Sequence, residues 1–322
     1  MRTIDAETID RVLTRADMVA ALRAGFAEAM VTPVRHHHTL ARAGEPTAML
    51  LLMPAWSDTA ETIGEDAVMG VKLVSVVPGN AARGLPSVVG AYVLMSGVTG
   101  EPLAVIDGSR LTLWRTAAAS ALAADHLARV DAQRMVMVGA GALAEHLIEA
   151  HTAIRPIREV RVWNRSLERA QELAAKFADR AFTVTATDDL EGAVVAADLV
   201  STATMSSDPV VRGAWLAPGT HLDLVGAYTP KMRETDDTAI GRARIYVDTR
   251  AGALAEAGDL VQPITEGRIT AADVVGDLAD LCRGTVAGRG GAEEITLFKS
   301  VGTALEDLVA ARLVWRRVAA LG

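Results

Sequence analysis

Three small residues, Gly139, Gly141 and Ala144, stand at the spacing G-x-G-x-x-A in the stretch RMVMVGAGALAEHLIEAHTAIRPIREVRVWNR. The first glycine permits a tight turn, the second lets the backbone approach a pyrophosphate, and the alanine lets a helix pack closely on a sheet. The N–H groups at the start of that helix would face the anion. A glycine fingerprint alone also occurs as an ordinary strand-to-helix turn, so its neighbours must be considered.

The residues around the fingerprint follow the order of a dinucleotide-binding unit. An apolar run at 135–138 precedes the glycines, a helical pattern follows them, and a second apolar run occupies 160–163. This order is strand, turn, helix, strand, the first half of a βαβ unit. We therefore predict that a dinucleotide binds here.

The residues after the second predicted strand indicate which dinucleotide binds. NAD-specific sites carry Asp or Glu there, about 20 residues beyond the glycines, to bind the ribose 2′-OH. This chain has Asn164, Arg165 and Ser166 instead. No carboxylate repels a 2′-phosphate, and Arg165 can pair with one, which favours NADPH over NADH. The alternative is that Arg165 stacks on the adenine without discriminating.

Two cations in apolar surroundings are further candidates for chemistry. Lys72 lies in the predicted strand MGVKLVSVV and must snorkel, pair with an anion or face a cavity. In a desolvated pocket its pKa would fall, which suits proton donation near neutral pH. Arg115, in the helical stretch LTLWRTAAASALAADHLARV, needs a substrate carboxylate, a cofactor phosphate or a protein carboxylate as partner. The sequence leaves these alternatives open.

The elements that position these residues form two regions. In the N-terminal region, strands joined by hairpins predict a mostly antiparallel sheet. From residue 134 on, strands alternate with helices, which predicts an α/β fold with a Rossmann-type doubly wound parallel sheet, in addition to the α+β N-terminal domain. We predict domains at 1–115, joined by the C-terminal helix 303–322, and at 116–302. Ligands bind at the carboxyl ends of such strands, which places 202–205 and 225–228 at the crevice.

The end of the chain reads as a helix. Residues 298–302 are predicted to open it, and it continues through Val314. Val301, Leu305 and Leu308 would form its apolar face. We expect this helix to pack on the N-terminal domain.

Composition excludes several classes of protein. The net charge of −8 argues against a nucleic-acid-binding surface, and no apolar run approaches the roughly 18 residues of a membrane span. The single cysteine excludes an internal disulfide and suits a reducing compartment. We expect a soluble, cytoplasmic protein without membrane or nucleic-acid partners. Residues 36–38 are three histidines, but consecutive side chains of a strand alternate between faces, so no metal site is predicted.

Motifs along most of the chain carry a family resemblance: LLMPAW, GVKLVSVVPGN, GLPSVVGAYVLM, RTAAASALAA, VGAGALAEHL, VRVWNRS, VGAYTPKMRETDD, VDTRAGALAEAGD and EITLFKSVGTALEDLVAARL. In this order they resemble the ornithine cyclodeaminase/mu-crystallin superfamily. The resemblance implies a homodimer in which the N-terminal domain binds substrate and forms the dimer interface. It places Arg35, Lys72 and Arg115 around a substrate carboxylate, and Glu256 in the substrate pocket.

The resemblance also implies cofactor contacts at Ser87, Thr204, Val225 and Ser300. The complete set predicted to bind the cofactor is Ser87, Arg115, Thr116, Gly139, Ala140, Gly141, Ala142, Leu143, Asn164, Arg165, Ser166, Arg169, Thr202, Ala203, Thr204, Met205, Val225 and Ser300. The set predicted to bind substrate is Arg35, Lys72, Arg115, Tyr228 and Glu256. Lys72 and Arg115 are predicted to be catalytic.

Members of the family cyclise ornithine with loss of ammonia, dehydrogenate alanine or reduce cyclic ketimines. Cyclodeaminases carry an acid/base Asp in the motif written here as GAYTP, where Tyr228 does not suit that role because an unperturbed phenol titrates at about 10. The motifs resemble most the bacterial Δ1-pyrroline-2-carboxylate reductases. We therefore predict NADPH-dependent reduction of Δ1-pyrroline-2-carboxylate to L-proline, with the piperideine homologue as a second substrate. The alternatives are an NAD-dependent ornithine cyclodeaminase, an alanine-dehydrogenase-like activity, and a binding protein that keeps the cofactor site.

Overall fold

The computed structural model describes residues 1–59, 64 and 66–321. The chain divides into two compact units: residues 1–116 with 303–322 form the first, and residues 117–302 form the second. The first break follows Thr116, inside a continuous helix, whereas the sequence placed it after residue 115.

The elements of both units, in chain order, are as follows. The β-strands are β1 Arg2–Ile4, β2 Met30–Val31, β3 His36–Leu40, β4 Ala48–Ser57, β5 Val68–Val76, β6 Val88–Ser96, β7 Pro102–Asp107, β8 Arg134–Val138, β9 Glu159–Trp163, β10 Thr183–Ala186, β11 Leu199–Thr202, β12 His221–Leu224, β13 Arg244–Val247, β14 Val274–Asp277 and β15 Thr296–Lys299. The α-helices are α1 Ala6–Val12, α2 Arg15–Ala27, α3 Gly108–Leu127, α4 Ala142–Ile154, α5 Leu167–Ala175, α6 Leu190–Val195, α7 Asp237–Arg242, α8 Arg250–Glu256, α9 Gly258–Thr265, α10 Leu278–Arg283 and α11 Ala304–Ala319.

The first unit is built on a sheet with the order β1-β7-β6-β5-β4-β2, in which β3 also pairs with β4. Its strands pair antiparallel except for β1 with β7, as the predicted hairpins require. Side chains of β5 alternate between the two faces of the sheet. Val68, Gly70, Lys72 and Val74 are buried on one face.

Helix α11 packs against β4, β5 and β6 of this sheet, so the end of the chain does return to the N-terminal region. Its predicted start was wrong, because residues 296–299 form strand β15 and the helix begins only at Ala304 after the N-cap Thr303. Its buried face is also broader than the apolar pattern indicated, since it includes Glu306 and Asp307. Apolar periodicity cannot reveal a helix face that buries charged side chains.

The second unit contains an all-parallel, eight-stranded sheet with the order β10-β9-β8-β11-β12-β15-β13-β14. This is the doubly wound parallel sheet that the alternating strands and helices predicted. From β8 the chain first moves outward through β9 and β10, and then returns to the other side of β8 with β11. The carboxyl ends of β8 and β11 therefore flank the topological switch point, where ligands bind in such folds. Val136, Val138, Val200 and Leu222 are buried in the core that carries these strands.

Candidate functional site

The glycine fingerprint lies at the carboxyl end of β8. Gly139 has a φ of 111°, and a Cβ there would lie 2.6 Å from the carbonyl oxygen of Ala203, directly after β11. Gly141 is the N-cap of α4, and among the described residues no side chain caps this helix start. A Cβ added at Gly141 would have no atom within 4 Å in the described part of the chain. The first N–H groups of α4 therefore stand beside open space at the switch point. This arrangement fits the pyrophosphate of a dinucleotide.

The turn after β9 carries the residues predicted to select the cofactor. Ser166 caps α5 by accepting a hydrogen bond from the Arg169 backbone N–H at 3.4 Å, and the Asn164 Nδ2 donates to the Ser166 carbonyl at 3.1 Å. Arg165 and Arg169 are exposed, and neither side chain has a hydrogen-bond or ion-pair partner in the described part of the chain. The turn itself is ordered by its own hydrogen bonds, so the two guanidinium groups remain available to an anion.

Glu234 joins the ends of β11 and β12, a connection that the sequence analysis missed. Its Oε1 accepts hydrogen bonds from the backbone N–H and the hydroxyl of Thr204, at 2.7 and 2.9 Å. Its Oε2 accepts from the N–H groups of Gly226 and Ala227, at 2.7 and 3.2 Å. The side chain is fully buried. One carboxylate therefore fixes the two loops that follow these adjacent strands.

Two further buried charges hold Glu234 in place. Asp259 of α9 accepts a hydrogen bond from the Glu234 backbone N–H at 2.7 Å, and its Oδ2 lies 3.1 Å from the Lys299 Nζ at the end of β15. Burial raises the pKa of Glu234; Lys299 opposes the rise and Asp259 adds to it. Lys299 interrupts the apolar run ITLFKSV as Lys72 interrupts its own strand, so the same criterion could have found it. Glu234 lies in a polar stretch that carries no such signal, and Asp259 stands at the start of a short helix, where acidic residues are common.

The other predicted residues of the second unit lie at or just after the carboxyl ends of strands, except Glu256, which ends helix α8, and they differ in exposure. Thr202, Val225 and Ser300 are buried, Ala203, Thr204 and Glu256 are half-buried, and Met205 and Tyr228 are exposed. The Ser300 hydroxyl lies 3.3 Å from Asp248 Oδ2, which also accepts hydrogen bonds from the N–H groups of Val301 and Gly302 at 2.7 and 2.6 Å. Ser300 thus belongs to a loop that Asp248 orders. Among the fingerprint residues, Ala140 and Leu143 are half-buried and Ala142 is exposed.

The first unit brings Lys72 and Arg115 together in a buried cluster of charges. The Lys72 Nζ lies 2.6 Å from Asp307 Oδ2, and the Arg115 Nε donates to Asp307 Oδ1 at 3.0 Å. The Arg115 Nη1 donates to Glu306 Oε2 at 2.8 Å. Lys72 is only 3% exposed, so it does not snorkel. Of the partners that the sequence left open for Arg115, protein carboxylates are the ones present.

The electrostatics of this cluster leave Lys72 close to titration at neutral pH. Burial lowers the pKa of Lys72 to about 8, Asp307 opposes this effect, and the positive charges of Arg115 and Arg35 add to it. Burial also acts against the charge of Arg115, but Asp307 and Glu306 outweigh it and raise the pKa of that guanidinium. Lys72 can therefore hold a proton at neutral pH and give it up readily.

Tyr92 on β6 is the cross-strand partner of Lys72 on β5 and lies on the same buried face. Gly70 makes room for its ring, since a Cβ at that position would lie 2.5 Å from the Tyr92 hydroxyl. That hydroxyl is buried and has no hydrogen-bond partner in the described ranges. Burial and the charge of Asp307 raise its pKa well above 10.0, so Tyr92 stays neutral.

Three other predicted residues also belong to the first unit. Arg35 is half-buried in the segment between β2 and β3, and Thr116 is buried directly after Arg115 on α3. Ser87 is half-buried, and its carbonyl accepts a hydrogen bond from the Val77 backbone N–H at 2.7 Å. Their predicted roles toward ligands stay predictions.

The histidines at 36–38 are exposed on β3. The described residues contain no cluster of His, Cys, Asp and Glu that could hold a metal ion. Among the helices formed by the same residues, none has the length and apolar character needed to cross a membrane.

Comparisons with known proteins agree with this architecture. The model of the ornithine cyclodeaminase/mu-crystallin family matches residues 5–321. The Δ1-pyrroline-2-carboxylate reductase of Paracoccus denitrificans is 41% identical over 297 residues, which are 90% of this chain and 92% of the relative. The Thermococcus litoralis Δ1-pyrroline-2-carboxylate reductase, solved with NADH and L-proline, has a TM-score of 0.92 at 29% identity, covering 100% of this chain and 98% of that one. An archaeal alanine dehydrogenase dimer with bound NAD has a TM-score of 0.89 at 28% identity, covering 100% and 97%.

Proposed function

Because the chain belongs to the ornithine cyclodeaminase/mu-crystallin family, we propose that it is an oxidoreductase that reduces a cyclic imino acid with NADPH. Its main substrate is Δ1-pyrroline-2-carboxylate, which becomes L-proline; Δ1-piperideine-2-carboxylate, which becomes pipecolate, is the larger ring it would accept. The observation that carries the proposal is the buried pair of cations, Lys72 and Arg115, in the unit that the family resemblance assigns to substrate binding. The names of the relatives and the ligands of the Thermococcus litoralis structure support it.

In this proposal Arg35, Lys72 and Arg115 bind the substrate carboxylate. A buried anion beside cations gains charge-assisted hydrogen bonds that it could not have in an apolar pocket. Arg115 uses Nε and Nη1 for Asp307 and Glu306, so its Nη2 remains for a substrate oxygen. Tyr228 and Glu256 are proposed as substrate-binding residues from the family resemblance alone.

Lys72 has a second role, which is to place a proton on the imine nitrogen. NADPH, when bound, supplies the hydride that the imine carbon receives. A protonated nitrogen draws electron density from that carbon and makes it a better hydride acceptor. Lys72 suits this task because its pKa of about 8 leaves it protonated at neutral pH and yet a usable acid.

The cofactor preference follows from the turn after β9. The exposed guanidinium groups of Arg165 and Arg169 favour the 2′-phosphate of NADPH, and no carboxylate at positions 164–166 repels it. NADH is the competing cofactor, as the ligand of the Thermococcus litoralis structure indicates for that relative.

The protein acts as a homodimer in this proposal. The sheet face opposite Lys72 is apolar, and Trp56, Leu73 and Val89 on it are 38%, 36% and 47% exposed. A contiguous exposed apolar face on a sheet marks an interaction surface. A second copy of this chain is the proposed occupant, because the structurally similar alanine dehydrogenase is a dimer. Light scattering on the purified protein, with Leu73→Asp as the disrupting variant, tests this.

The main alternative is an NAD-dependent ornithine cyclodeaminase. Tyr228 argues against it, because its exposed phenol stands where cyclodeaminases carry an acid/base Asp. An alanine-dehydrogenase-like activity is the other enzymatic alternative. A pure binding protein would have little need for a lysine held in an apolar strand at the cost of desolvation.

One experiment separates these functions. The oxidation of NADPH and of NADH is followed by absorbance with each cyclic imine, with pyruvate plus ammonia, and without any substrate. In a separate assay, ammonia release from ornithine is measured. We expect NADPH oxidation with the five-membered imine and stoichiometric L-proline. Ammonia release from ornithine without imine reduction contradicts the proposal.

A further inference from the structure

Asp307 on α11 is shared by the two buried cations of the first unit. Its Oδ2 lies 2.6 Å from the Lys72 Nζ and its Oδ1 accepts from the Arg115 Nε at 3.0 Å. The side chain is fully buried. One rigid carboxylate thus sets the position of both positive groups, because each oxygen is directed at a different one.

Glu306, the preceding residue, has a different set of contacts with the same cations. Its Oε2 accepts a hydrogen bond from the Arg115 Nη1 at 2.8 Å. Within the described ranges, Lys72 forms its ion pair with Asp307 and not with Glu306. Both neighbouring acids therefore bind Arg115, but only Asp307 also forms an ion pair with Lys72. This difference supplies a matched pair for experiment.

The charges facing Lys72 show what Asp307 does to it. Burial, Arg115 and Arg35 all disfavour the ammonium form, and Asp307 is the group that favours it. Tyr92, which faces Lys72 from β6, remains neutral and supplies no counter-charge. Without the charge of Asp307, burial and the positive charges of Arg115 and Arg35 would together favour the neutral amine of Lys72.

We propose that Asp307 is a positioning residue that keeps Lys72 protonated and fixes its ammonium relative to the Arg115 guanidinium. The ammonium of Lys72 carries three protons, so in this ion pair with Asp307 Oδ2 it keeps donors for a substrate. Helix α11 thereby controls the acid of the imine reduction without touching the reacting atoms. This inference rests on the proposed function only in that Lys72 acts on the imine.

The decisive variants are Asp307→Asn and Glu306→Gln, each nearly identical in shape to the native residue but without charge. For the wild type we expect kcat/KM for the imino acid to fall as pH rises through about 8. In Asp307→Asn this fall should begin at least one pH unit lower, because the ammonium has lost its counter-charge. In Glu306→Gln the fall should stay at the wild-type pH, while KM for the imino acid changes.

The second readout does not depend on activity. Lysine labelled with ¹³C at Cε reports the Lys72 titration by NMR, assigned by its loss in Lys72→Met and measured with saturating NADPH to stabilise the folded state. We expect the midpoint to move to lower pH in Asp307→Asn and not in Glu306→Gln. If Asp307→Asn does not fold, the double variant Arg115→Met/Asp307→Asn replaces it, because it loses one charge of each sign. Its Lys72 midpoint is then compared with that of the single variant Arg115→Met.

Outcomes for the two proposals are distinguishable. If the Lys72 midpoint moves as expected but no cyclic imine is reduced, the proposed function fails and the coupling of Asp307 to Lys72 stands. The positioning role is overturned if the wild type reduces the imine but Asp307→Asn keeps the wild-type Lys72 titration midpoint and the wild-type pH dependence of kcat/KM. Equal shifts in Asp307→Asn and Glu306→Gln overturn it as well.

Discussion

The Lys299 ammonium and the Asp259 carboxylate form a fully buried ion pair at 3.1 Å in the second unit. Through Asp259 this pair holds the backbone of Glu234, whose carboxylate in turn fixes the loops after β11 and β12. Both loops lie at the carboxyl edge of the parallel sheet, where a dinucleotide binds in this fold. The buried charges therefore order the edge to which the cofactor is assigned.

Glu234→Gln tests that assignment. An amide cannot accept hydrogen bonds through its NH₂ group, so one of the two loops loses its anchor. We expect the Kd for NADPH, measured by fluorescence titration, to rise about 10-fold, which corresponds to about 1.4 kcal/mol. The exposed Glu266→Gln is the matched control and should bind as the wild type does. A lower thermal stability with an unchanged Kd would show that Glu234 serves the fold alone.

Arg165→Ala tests the cofactor preference. Loss of a charge-assisted contact to the 2′-phosphate should lower kcat/KM for NADPH roughly 10- to 150-fold, which corresponds to about 1.5–3 kcal/mol. The value of kcat/KM for NADH should change little. Arg158→Ala, an exposed arginine in the same unit, should leave both values unchanged. Equal use of NADH and NADPH by the wild type would refute the assigned preference.

Arg115→Ala tests substrate anchoring. The variant should raise KM for the imino acid far more than KM for NADPH, because the substrate carboxylate loses a counter-charge. It should also lose stability by about 3–5 kcal/mol, since Glu306 loses a buried partner. Steady-state kinetics at saturating NADPH and chemical unfolding measure the two effects. Parallel changes in both KM values would make Arg115 a cofactor or structural residue.

Lys72→Met tests proton donation. Asp307 keeps Arg115 as a partner, so we expect a folded protein that binds NADPH normally. Its kcat should fall about 100-fold or more, as is usual when a positioned acid is removed. The wild-type rate should decline above about pH 8, where Lys72 loses its proton, and that limb should be absent from the variant. Near-normal turnover in a well-folded variant would end the catalytic role.

His221 predicts how stability depends on pH. Burial lowers its pKa to about 3, with Asp223 in opposition, whereas in the unfolded chain it titrates near 6.5. Between these values the unfolded state binds more protons, so stability falls as pH drops below about 6.5. We expect His221→Gln to reduce the slope of unfolding free energy against pH by up to about 1.4 kcal/mol per pH unit. The exposed His37→Gln should not, and an unchanged slope in His221→Gln contradicts the assignment.

Local patterns in the sequence were enough to predict the parallel sheet, the glycine turn and the turn after β9. Each of these depends on residues close together along the chain: Gly139 needs its positive φ and Ser166 its helix start, wherever the rest of the protein lies. The apolar surroundings of Lys72 were also readable, but the sequence left open whether its ammonium reaches solvent, pairs with an anion or faces a cavity; the structure shows that it is buried. The function proposed for the chain draws on these features together with the motifs that carry the family resemblance.

Only the tertiary structure decided which groups neutralise the buried cations. Glu306 and Asp307 lie in the first turn of α11, where acidic residues ordinarily interact with the helix dipole at the surface. Nothing in their local sequence distinguishes them from such exposed acids. Arg115 and Asp307 stand 192 positions apart, and they meet only because α11 packs on the sheet that contains β5. The energy that determines their pairing, the desolvation of charge, does not exist until that packing has excluded water.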